Sequence, residues 1–403
     1  MTQVREVTNP APRAGGSTRR GWLGVGAVTG ATFTVVTSEM LPVGLLTPMS
    51  DTLRVSEGAA GLSLTATGFV AAAASPLLPA ALRRIDRKLV LCGLLAVLVL
   101  GNLGSAWAPS FGVMMGARVL VGIAIGGVWA IAASMAARLV PARSVGTATA
   151  LVFSGVAVAS VIGVPTGTYL GALAGWRTAF VVTAGLALAV LLTVAAVVPK
   201  LSATQGVPLR AALRLTRRPQ MSTGLLVIAF LVTGHFAAYT YIRPLLEKVT
   251  GVGASTIGTL LLIYGIAGVL GNFGAGSTGV RNPRRTLLTI GVPLAATVLL
   301  VPALGGSLIL AVVLMVVWGL SYGGVSVTAQ NWVFAAAPDA NEGASSLNAG
   351  VFNGAIALGS LLGGRMADSF GVTSAMWLGG VLVLIALAIA TVSPTPGRSE
   401  QQR

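Results

Sequence analysis

Three ionisable side chains lie inside long apolar stretches of the chain: Glu39, Arg118 and His235. If those stretches cross a membrane, ionisable groups within them are costly and are expected to serve a function. Glu39 and Arg118 are predicted at similar depth in antiparallel helices, where pairing would lower the desolvation cost of both charges. Two hypotheses follow: a static ion pair that fixes helix packing, or a coupling pair in which Glu39 carries a proton and Arg118 modulates it.

Aromatic and amide side chains recur on the predicted helices around these charges. His235 and Tyr239 share one helix face because they are four residues apart, and Trp129, Tyr322 and Asn353 occupy three other apolar stretches. A cavity lined by these five side chains would suit a planar or semi-polar solute. Each aromatic residue taken alone is also compatible with simple packing.

A series of small residues marks one further apolar stretch. Within the predicted helix at 147–171 and just after it, from Gly155 to Gly175, a small residue recurs at every fourth position, with Ala159 filling one gap. This spacing allows two helix backbones to approach closely, and Pro165 within it removes a backbone hydrogen bond and allows a bend. The series is compatible with tight packing or with a pliable gate between helical bundles. Its glycines are Gly155, Gly163, Gly167, Gly171 and Gly175.

Several other kinds of chemistry are excluded by the residues that the chain lacks. Cys92 is the only cysteine, which excludes an intramolecular disulfide and a cysteine-based metal site. A single histidine argues against a catalytic zinc site, and the sequence contains no G-x-x-x-x-G-K-[ST] segment for ATP hydrolysis. We therefore expect no catalytic residue, no metal and no cofactor, and an ion gradient as the source of energy.

The composition indicates a membrane protein. Hydrophobic residues make up 55% of the 403 residues and charged residues only 9%, whereas soluble domains carry about 25% charged residues. The formal net charge of +16 would suggest a nucleic-acid partner, but the basic residues cluster in the short breaks between apolar stretches. That placement is typical of charges that orient membrane helices, so no nucleic-acid binding is expected.

Twelve apolar stretches are long enough to cross a hydrocarbon core of about 30 Å. They predict an all-α membrane protein with helices at 22–46, 58–81, 88–107, 111–137, 147–171, 176–198, 221–243, 254–278, 286–303, 308–330, 344–364 and 372–393. The predicted organisation is an N-terminal tail at 1–21, a six-helix bundle at 22–198, a central loop at 199–220, a second six-helix bundle at 221–393 and a C-terminal tail at 394–403.

Charge and internal repetition predict how these two bundles are arranged. With the N-terminus inside, twenty of the 26 basic residues fall on the cytoplasmic side and five fall outside, which is a strong positive-inside bias. Lys88 and Arg285 begin corresponding helices of the two bundles and are 197 positions apart, which indicates a parallel repeat. We expect both termini in the cytoplasm and the solute site at the midplane between the bundles.

Several segments resemble a known family of transporters. Residues 38–46 (Ser-Glu-Met-Leu-Pro-Val-Gly-Leu-Leu) resemble the first helix of the twelve-helix drug:proton antiporter branch of the major facilitator superfamily, which includes sugar and arabinose exporters. The segments similar to bacterial purine ribonucleoside exporters are 46–49, 56–61, 67–71, 126–130, 138–141 and 239–244. The resemblance covers nearly the whole chain and implies the major facilitator fold, with twelve transmembrane helices in two six-helix bundles.

The resemblance also implies roles for individual residues. Arg118, with Gly122 and Gly126, is similar to the family's helix-four motif, whose arginine is implicated in proton coupling. The glycine series resembles the helix-five motif that marks exporters. Residues 79–88 resemble the cytoplasmic gate motif between helices two and three, although Arg83 stands where the family has an aspartate. The basic part of that gate motif is kept by Arg84, Arg87 and Lys88.

Together these observations predict a proton-coupled antiporter that exports a small organic solute, with purine ribonucleosides or their analogues as the first expectation. Export of sugars, or multidrug resistance through export of chloramphenicol-like drugs, are the alternatives within the superfamily. A membrane-embedded enzyme would need clustered histidines or acids at a membrane face, and a receptor or assembly factor would need a domain to signal with. Expected partners are the solute, protons and the lipid of the bacterial cytoplasmic membrane, and the chain is expected to act as a monomer.

Overall fold

The structure is a computed structural model that describes residues 18–82, 84–202, 209–279 and 282–393. The described residues are almost entirely helical and contain no strands. Four predicted features fall partly or wholly outside the described residues. They are the N-terminal tail (1–17), the C-terminal tail (394–403), part of the central loop (203–208) and Arg83 of the gate.

The N-terminal half contains six long helices. They are α1 (Thr18–Leu53), α2 (Glu57–Ala81), α3 (Arg87–Ala106), α4 (Phe111–Leu139), α5 and α6 (Trp176–Val197). α5 comprises Val145–Val158, a π-helical turn at Ala159–Gly163, and Val164–Ala174. Pro165 has no N–H to donate to the Val161 carbonyl, and the α-helical pattern of α5 is interrupted at this point because one of its hydrogen bonds is missing.

The C-terminal half follows a short linker helix (Leu209–Arg214) and a 3-10 turn (Leu215–Arg217). Its helices are α7 (Pro219–Tyr239), α8 (Ala254–Gly279), α9 (Pro283–Leu304), α10, α11 (Asn341–Phe370) and α12 (Val372–Val392). α7 breaks after Tyr239 and resumes as Ile242–Leu245 and a π-helical turn, Leu246–Thr250. α10 comprises Leu308–Gly323 and Val325–Ala336. The sequence predicts that these two helices end at 243 and 330. An apolar pattern does not show where a helix breaks, as α7 does after Tyr239. It also does not show that a helix continues past the membrane core, as α10 does to Ala336.

Twelve helices cross the fold, although eleven described segments meet both length and hydropathy requirements for crossing a membrane. α1 has 36 residues, but its threonines, Ser38 and Glu39 lower its hydropathy. These polar residues are turned inward, since Thr32, Thr34 and Ser38 are fully buried and Glu39 is 4% exposed. α1 is therefore long enough to span a bilayer and keeps its polar groups away from lipid.

The same packing pattern occurs in both halves. α1 packs on α5, α2 on α4 and α3 on α6, and the corresponding pairs in the second half are α7 with α11, α8 with α10 and α9 with α12. Gly175 and Gly371 end α5 and α11 with φ of 84° and 87°, a left-handed conformation that favours glycine. The halves meet along α2–α11 and α5–α8. The predicted fold of two six-helix bundles is confirmed.

The helix ends define two faces. The basic face is the end that carries residues 84–86, 140–144, 198–202, 209–218 and 337–340, and the opposite face carries residues 54–56, 107–110, 251–253 and 305–307. On the basic face, Arg218 donates hydrogen bonds of 2.6 and 2.8 Å to the Asp339 carboxylate. These bonds lower the pKa of the exposed Asp339 carboxyl to about 2. The ion pair ties the start of α7 to the connection between α10 and α11.

Candidate solute and proton site

Arg118 of α4 is fully buried and binds the backbone of α1. Its Nη1 donates to the Ser38 carbonyl at 3.0 Å and its Nη2 to the Glu39 carbonyl at 3.2 Å. Pro42 lies four residues after Ser38 inside α1 and has no N–H, so the Ser38 carbonyl lacks its helical partner. Arg118 provides the missing donor and also reaches the Ser63 carbonyl of α2 at 3.4 Å. It therefore braces α4 against α1 and α2.

The carboxyl group of Glu39 lies beside Arg118 but is not bonded to it. Oε1 of Glu39 is buried and has no hydrogen-bond partner in the described part of the chain. The ion pairs between described side chains do not include one from Glu39 to Arg118, although the two groups interact electrostatically. The guanidinium of Arg118 is thus hydrogen-bonded to backbone carbonyls, and the carboxyl group of Glu39 is free to bind another group.

The C-terminal half contributes a group of packed aromatic rings. His235 of α7 is stacked on Tyr322 of α10, with ring centroids 3.3 Å apart and an interplanar angle of 6°, and on Tyr239 at 5.1 Å and 19°. Tyr264 of α8 stacks on Tyr239 at 4.8 Å. Tyr322 interacts electrostatically with Glu39, so the group faces α1 across the interface between the halves. This aromatic cluster consists of His235, Phe236, Tyr239, Tyr264, Trp318 and Tyr322.

Polar atoms inside the aromatic cluster are only partly paired. Trp318 Nε1 donates to His235 Nδ1 at 3.0 Å, whereas His235 Nε2 and Tyr322 Oη are buried without a partner in the described residues. An unpaired buried polar group costs about 1–3 kcal/mol, so each such group in a native protein calls for a reason. Together with Oε1 of Glu39, they place unpaired polar atoms from both halves around one interface.

The described contacts of two other predicted cavity residues do not include the aromatic cluster. Trp129 of α4 is stacked on Phe153 of α5 within the N-terminal half, with centroids 5.8 Å apart. Asn353 of α11 donates to the Ala349 carbonyl one turn earlier in its own helix. The structure brings His235, Tyr239 and Tyr322 together. It adds Tyr264, whose only signal in the sequence is a tyrosine in the middle of an apolar stretch.

The small residues of α5 pack against α1 inside the N-terminal half. A methyl group at Gly155 would lie 2.6 Å from the Thr29 carbonyl oxygen. The same packing continues along α5, where Gly163, Gly167 and Gly171 contact Thr37, Leu41 and Leu45 of α1. α8 of the other half meets a different side of α5, where Gly265 lies against Ser160. The glycine series therefore sets the position of α1 and of Glu39, and other residues of α5 form the contact between the halves.

At the opposite face, Arg243 connects the two halves. It lies after the break in α7, is 6% exposed, and donates to the Gly44 carbonyl of α1. Pro48 lies four residues after Gly44 and leaves that carbonyl without a helical partner, which repeats the arrangement at Pro42. Arg243 Nε also binds Glu247 at 2.9 Å, and Glu247 accepts a hydrogen bond of 2.6 Å from Thr47 of α1. We call this set of contacts the Arg243 bridge.

A second set of contacts at the opposite face joins α2 to α11. Asp368 accepts from the Ser56 hydroxyl at 2.7 Å and from the Gly58 N–H at 2.9 Å. These donors lie at the N-terminus of α2, where the helix dipole favours a negative charge. Ser360 Oγ donates to the Gly61 carbonyl at 2.8 Å. With the Arg243 bridge, these contacts close the opposite face.

The predicted gate residues lie at the basic face. Arg84 is exposed and Arg87 is 3% exposed. The Arg87 N–H donates to the Leu201 carbonyl at 2.9 Å, which attaches α3 to the segment that follows α6. The Lys88 N–H donates to Asp86 at 2.8 Å, so Asp86 caps the N-terminus of α3.

Comparison with known proteins agrees with the fold. Residues 28–351 match the sequence pattern of the Major Facilitator Superfamily. The chain is 35% identical over 389 residues to the transcription regulatory protein OpdE of Pseudomonas aeruginosa, which covers 96% of both chains. It is 33% identical over 374 residues to the purine ribonucleoside efflux pump NepI of Escherichia coli K12, which covers 93% of this chain and 94% of that one.

A solved structure shares the same fold. The bacterial homologue of the human lysosomal transporter Spinster, in an inward-facing and unoccupied conformation, has a TM-score of 0.74 at 17% identity, covering 93% of this chain and 97% of that one. The resemblance read from the sequence segments is confirmed by the relatives. The chain belongs to the Major Facilitator Superfamily and is a multi-pass membrane transporter.

Proposed function

We propose that this transporter exports a small planar organic solute, a purine ribonucleoside or an analogue, in exchange for protons. The observation that carries the proposal is the set of buried polar atoms without partners in the described residues, Glu39 Oε1, His235 Nε2 and Tyr322 Oη, beside stacked aromatic rings. Apolar and aromatic surfaces with a few polar anchors suit a flat heterocycle. The similarity to NepI, whose name describes purine ribonucleoside efflux, supports this solute class. Sugars and chloramphenicol-like drugs are the alternative solutes.

Glu39 is the proton carrier in this proposal, and Arg118 modulates it. A carboxyl group in apolar surroundings retains its proton more readily, and a neighbouring cation promotes its release. Arg118 belongs to α4 and Glu39 to α1, and the two interact without a direct bond between their side chains. A small shift of the Glu39 carboxyl group relative to the guanidinium would therefore change proton binding without the breakage of a salt bridge.

The transport cycle in this proposal exposes the site alternately at the two faces. The positive-inside rule assigns the basic face to the cytoplasm, which puts both termini on that side of the bacterial cytoplasmic membrane. The structure is closed at the opposite face by the Arg243 bridge and by Asp368, so it is not the outward-open state of this cycle. Opening to the outside requires both sets of contacts to break.

Transport by everted membrane vesicles tests solute and coupling together. Vesicles that contain the wild-type protein should accumulate adenosine or inosine more than arabinose or chloramphenicol, and should do so only with an inward-acidic proton gradient. Glu39→Gln should abolish accumulation and preserve solute exchange, because the amide resembles a permanently protonated carboxyl. Asp51→Asn, which changes an exposed carboxylate at the end of α1, is the matched control and should transport normally. Accumulation by Glu39→Gln with the normal pH dependence would rule Glu39 out as the carrier.

The name of OpdE points to a second reading, a regulatory membrane protein. Regulation without transport would leave wild-type vesicles unable to move any solute of the panel, although the protein is inserted and folded. Movement of one of these solutes above the level of empty vesicles would decide for transport.

A further inference from the structure

The single histidine of the chain has one ring nitrogen already engaged. Trp318 Nε1 lies 3.0 Å from His235 Nδ1, and both side chains are fully buried. An indole N–H can only donate a hydrogen bond, so Nδ1 accepts and carries no hydrogen. A neutral imidazole whose Nδ1 is unprotonated carries its hydrogen on Nε2. The structure thus defines one tautomer.

The orientation of the imidazole ring is fixed by its neighbours. Tyr322 and Tyr239 are stacked on the ring, and the edge of Phe236 meets it at 4.9 Å and 90°. The Trp318 ring stands at 88° to the imidazole plane. Reversal of the imidazole would place a C–H group against the indole N–H, which would leave a buried donor unpaired at a cost of about 1–3 kcal/mol.

We infer that Trp318 is a positioning residue that holds His235 as a neutral Nε2–H donor for the transported solute. The inference rests on the transport function proposed above. Nε2 is buried without a partner in the described residues, so its hydrogen is available to a ligand. An imidazolium carries hydrogens on both nitrogens and cannot keep the bond from Trp318. The matching ligand is an uncharged heteroaromatic solute with an acceptor, a ring nitrogen or a carbonyl oxygen, at its edge.

The groups that surround His235 agree with a neutral ring. Its titratable neighbours are the tyrosines Tyr239 on α7, Tyr264 on α8 and Tyr322 on α10. Glu39 of α1 interacts electrostatically with Tyr322 of the cluster and has no hydrogen bond to it among the described residues. α11 and α12 also pack on α7, and their described charged side chains lie near the opposite-face end of α11. The described neighbours place no carboxylate within bonding distance of the imidazole to stabilise a positive charge.

Nitrogen-15 NMR tests the tautomer directly. Protein labelled with ¹⁵N-histidine and purified by a tag without histidine gives ring signals from His235 alone. The wild type should show one neutral Nε2–H tautomer at pH 7. Trp318→Phe keeps an aromatic ring but removes the donor, and should add the Nδ1–H tautomer. Trp332→Phe is the matched control, since its indole is also fully buried on α10 but donates to the Gln220 carbonyl, and it should leave the tautomer unchanged.

Two results of this experiment would overturn the inference. One is an imidazolium or an Nδ1–H tautomer in the wild type, a measurement that needs no variant to fold. The other is a folded Trp318→Phe protein that keeps the pure Nε2–H tautomer.

Adenosine binding tests the role of the donor. Adenosine should shift the His235 Nε2–H signal, and Trp318→Phe should raise its Kd about two- to twelvefold, the effect of one lost neutral hydrogen bond. Adenosine transport with an unperturbed His235 signal would overturn the inference and leave the proposed function intact. Failure to transport any panel solute would overturn the proposed function and the donor role with it, whereas the tautomer would still report whether Trp318 fixes the ring.

Discussion

One hydrogen bond of the Arg243 bridge can be removed to test how the opposite face opens. Arg243 and Gly44 belong to different halves, so the hydrogen bond between them cannot persist once the halves separate at this face. Arg243→Met keeps a long apolar side chain and removes the charged donor. Pro48→Ala weakens the same bond from the other side, because an N–H at position 48 would bond to the Gly44 carbonyl within α1.

The expected magnitude follows from the burial of this contact. A hydrogen bond to a charged group contributes about 1.5–3 kcal/mol, and about 1.4 kcal/mol is a tenfold change in an equilibrium constant. Arg243→Met should therefore raise the population that is open at the opposite face by roughly 10- to 150-fold. The lower part of this range is expected, since Thr47 still bonds to Glu247, whose side chain is 25% exposed and can be hydrated. The two substitutions act on one bond, so the double variant should show less than the summed effect.

Labelling of a cysteine between the halves measures this population. Met40 lies one turn below Gly44 and packs against the hydrophobic cores of both halves. Met40→Cys in a Cys92→Ser chain should react with a membrane-impermeant maleimide applied at the opposite face only when that face opens. Its labelling rate should rise with the open population in Arg243→Met.

An exposed ion pair on the same face is the matched control. Lys248, whose side chain is 58% exposed, binds Glu57 at 2.8 Å, and exposed pairs contribute about 0–1 kcal/mol. Lys248→Gln should change the labelling rate by less than about fivefold. Equal labelling rates in Arg243→Met and Lys248→Gln would refute the view that the Arg243 bridge holds the face closed.

Three further predictions follow from the same structure. Tyr239→Ala should raise the KM for purine nucleosides roughly 5- to 150-fold, since stacking of a base is worth about 1–3 kcal/mol, and an unchanged KM would make this ring a packing residue only. Gly155→Ala should lower the Tm because its methyl group would meet the α1 backbone, whereas Gly185→Ala, with open space around it, should not; equal Tm values would contradict the close α1–α5 packing. Because the pKa of Asp339 is held at about 2 by Arg218, below its ordinary value of about 3.9, the stabilisation is complete above about pH 4 and is lost as the pH falls towards 2. Pepsin should therefore cleave segment 209–217, which directly precedes Arg218, faster at pH 2 than at pH 4 in the wild type. After correction for pepsin activity, the two rates should be equal in Asp339→Asn. An acid-dependent increase in that variant would refute the stabilising role of the ion pair.

The fold could be predicted from the sequence because lipid imposes a simple rule. Every backbone group in the hydrocarbon must be paired within its own segment, so a long apolar stretch indicates a helix without knowledge of its neighbours. The rule does not predict where a helix is interrupted. The break after Tyr239 and the second segment of α10, Val325–Ala336, depend on local contacts. The prolines of α1 were visible in the sequence, and each implies a free carbonyl. The arginines that bind those carbonyls come from α4 and from the segment after α7, a choice that only the packing makes.

The candidate site was predictable to a lesser extent. A four-residue spacing puts His235 and Tyr239 on one helix face, and this relation holds in the structure. Spacing within one helix does not reveal which helix lies against that face. For this reason Tyr322 and Trp129 looked equivalent in the sequence, although only Tyr322 joins the cluster. The proximity of Glu39 and Arg118 was anticipated, but the binding of Arg118 to carbonyls instead of the carboxylate depends on the carbonyl that Pro42 leaves unpaired.

The two prolines of α1 also connect the proposed proton site with the closure of the opposite face. Pro42 frees the Ser38 carbonyl for Arg118 of the same half, and Pro48 frees the Gly44 carbonyl for Arg243 of the other half. The first bond can persist when the halves separate, whereas the second must break. Glu39 lies between these two attachment points, directly after the one that persists. Opening would therefore release α1 on one side of Glu39 only, and would separate its carboxyl group from the aromatic cluster of the other half in the same movement. Proton binding and solute contacts would then change in a single step, which is what coupled antiport requires.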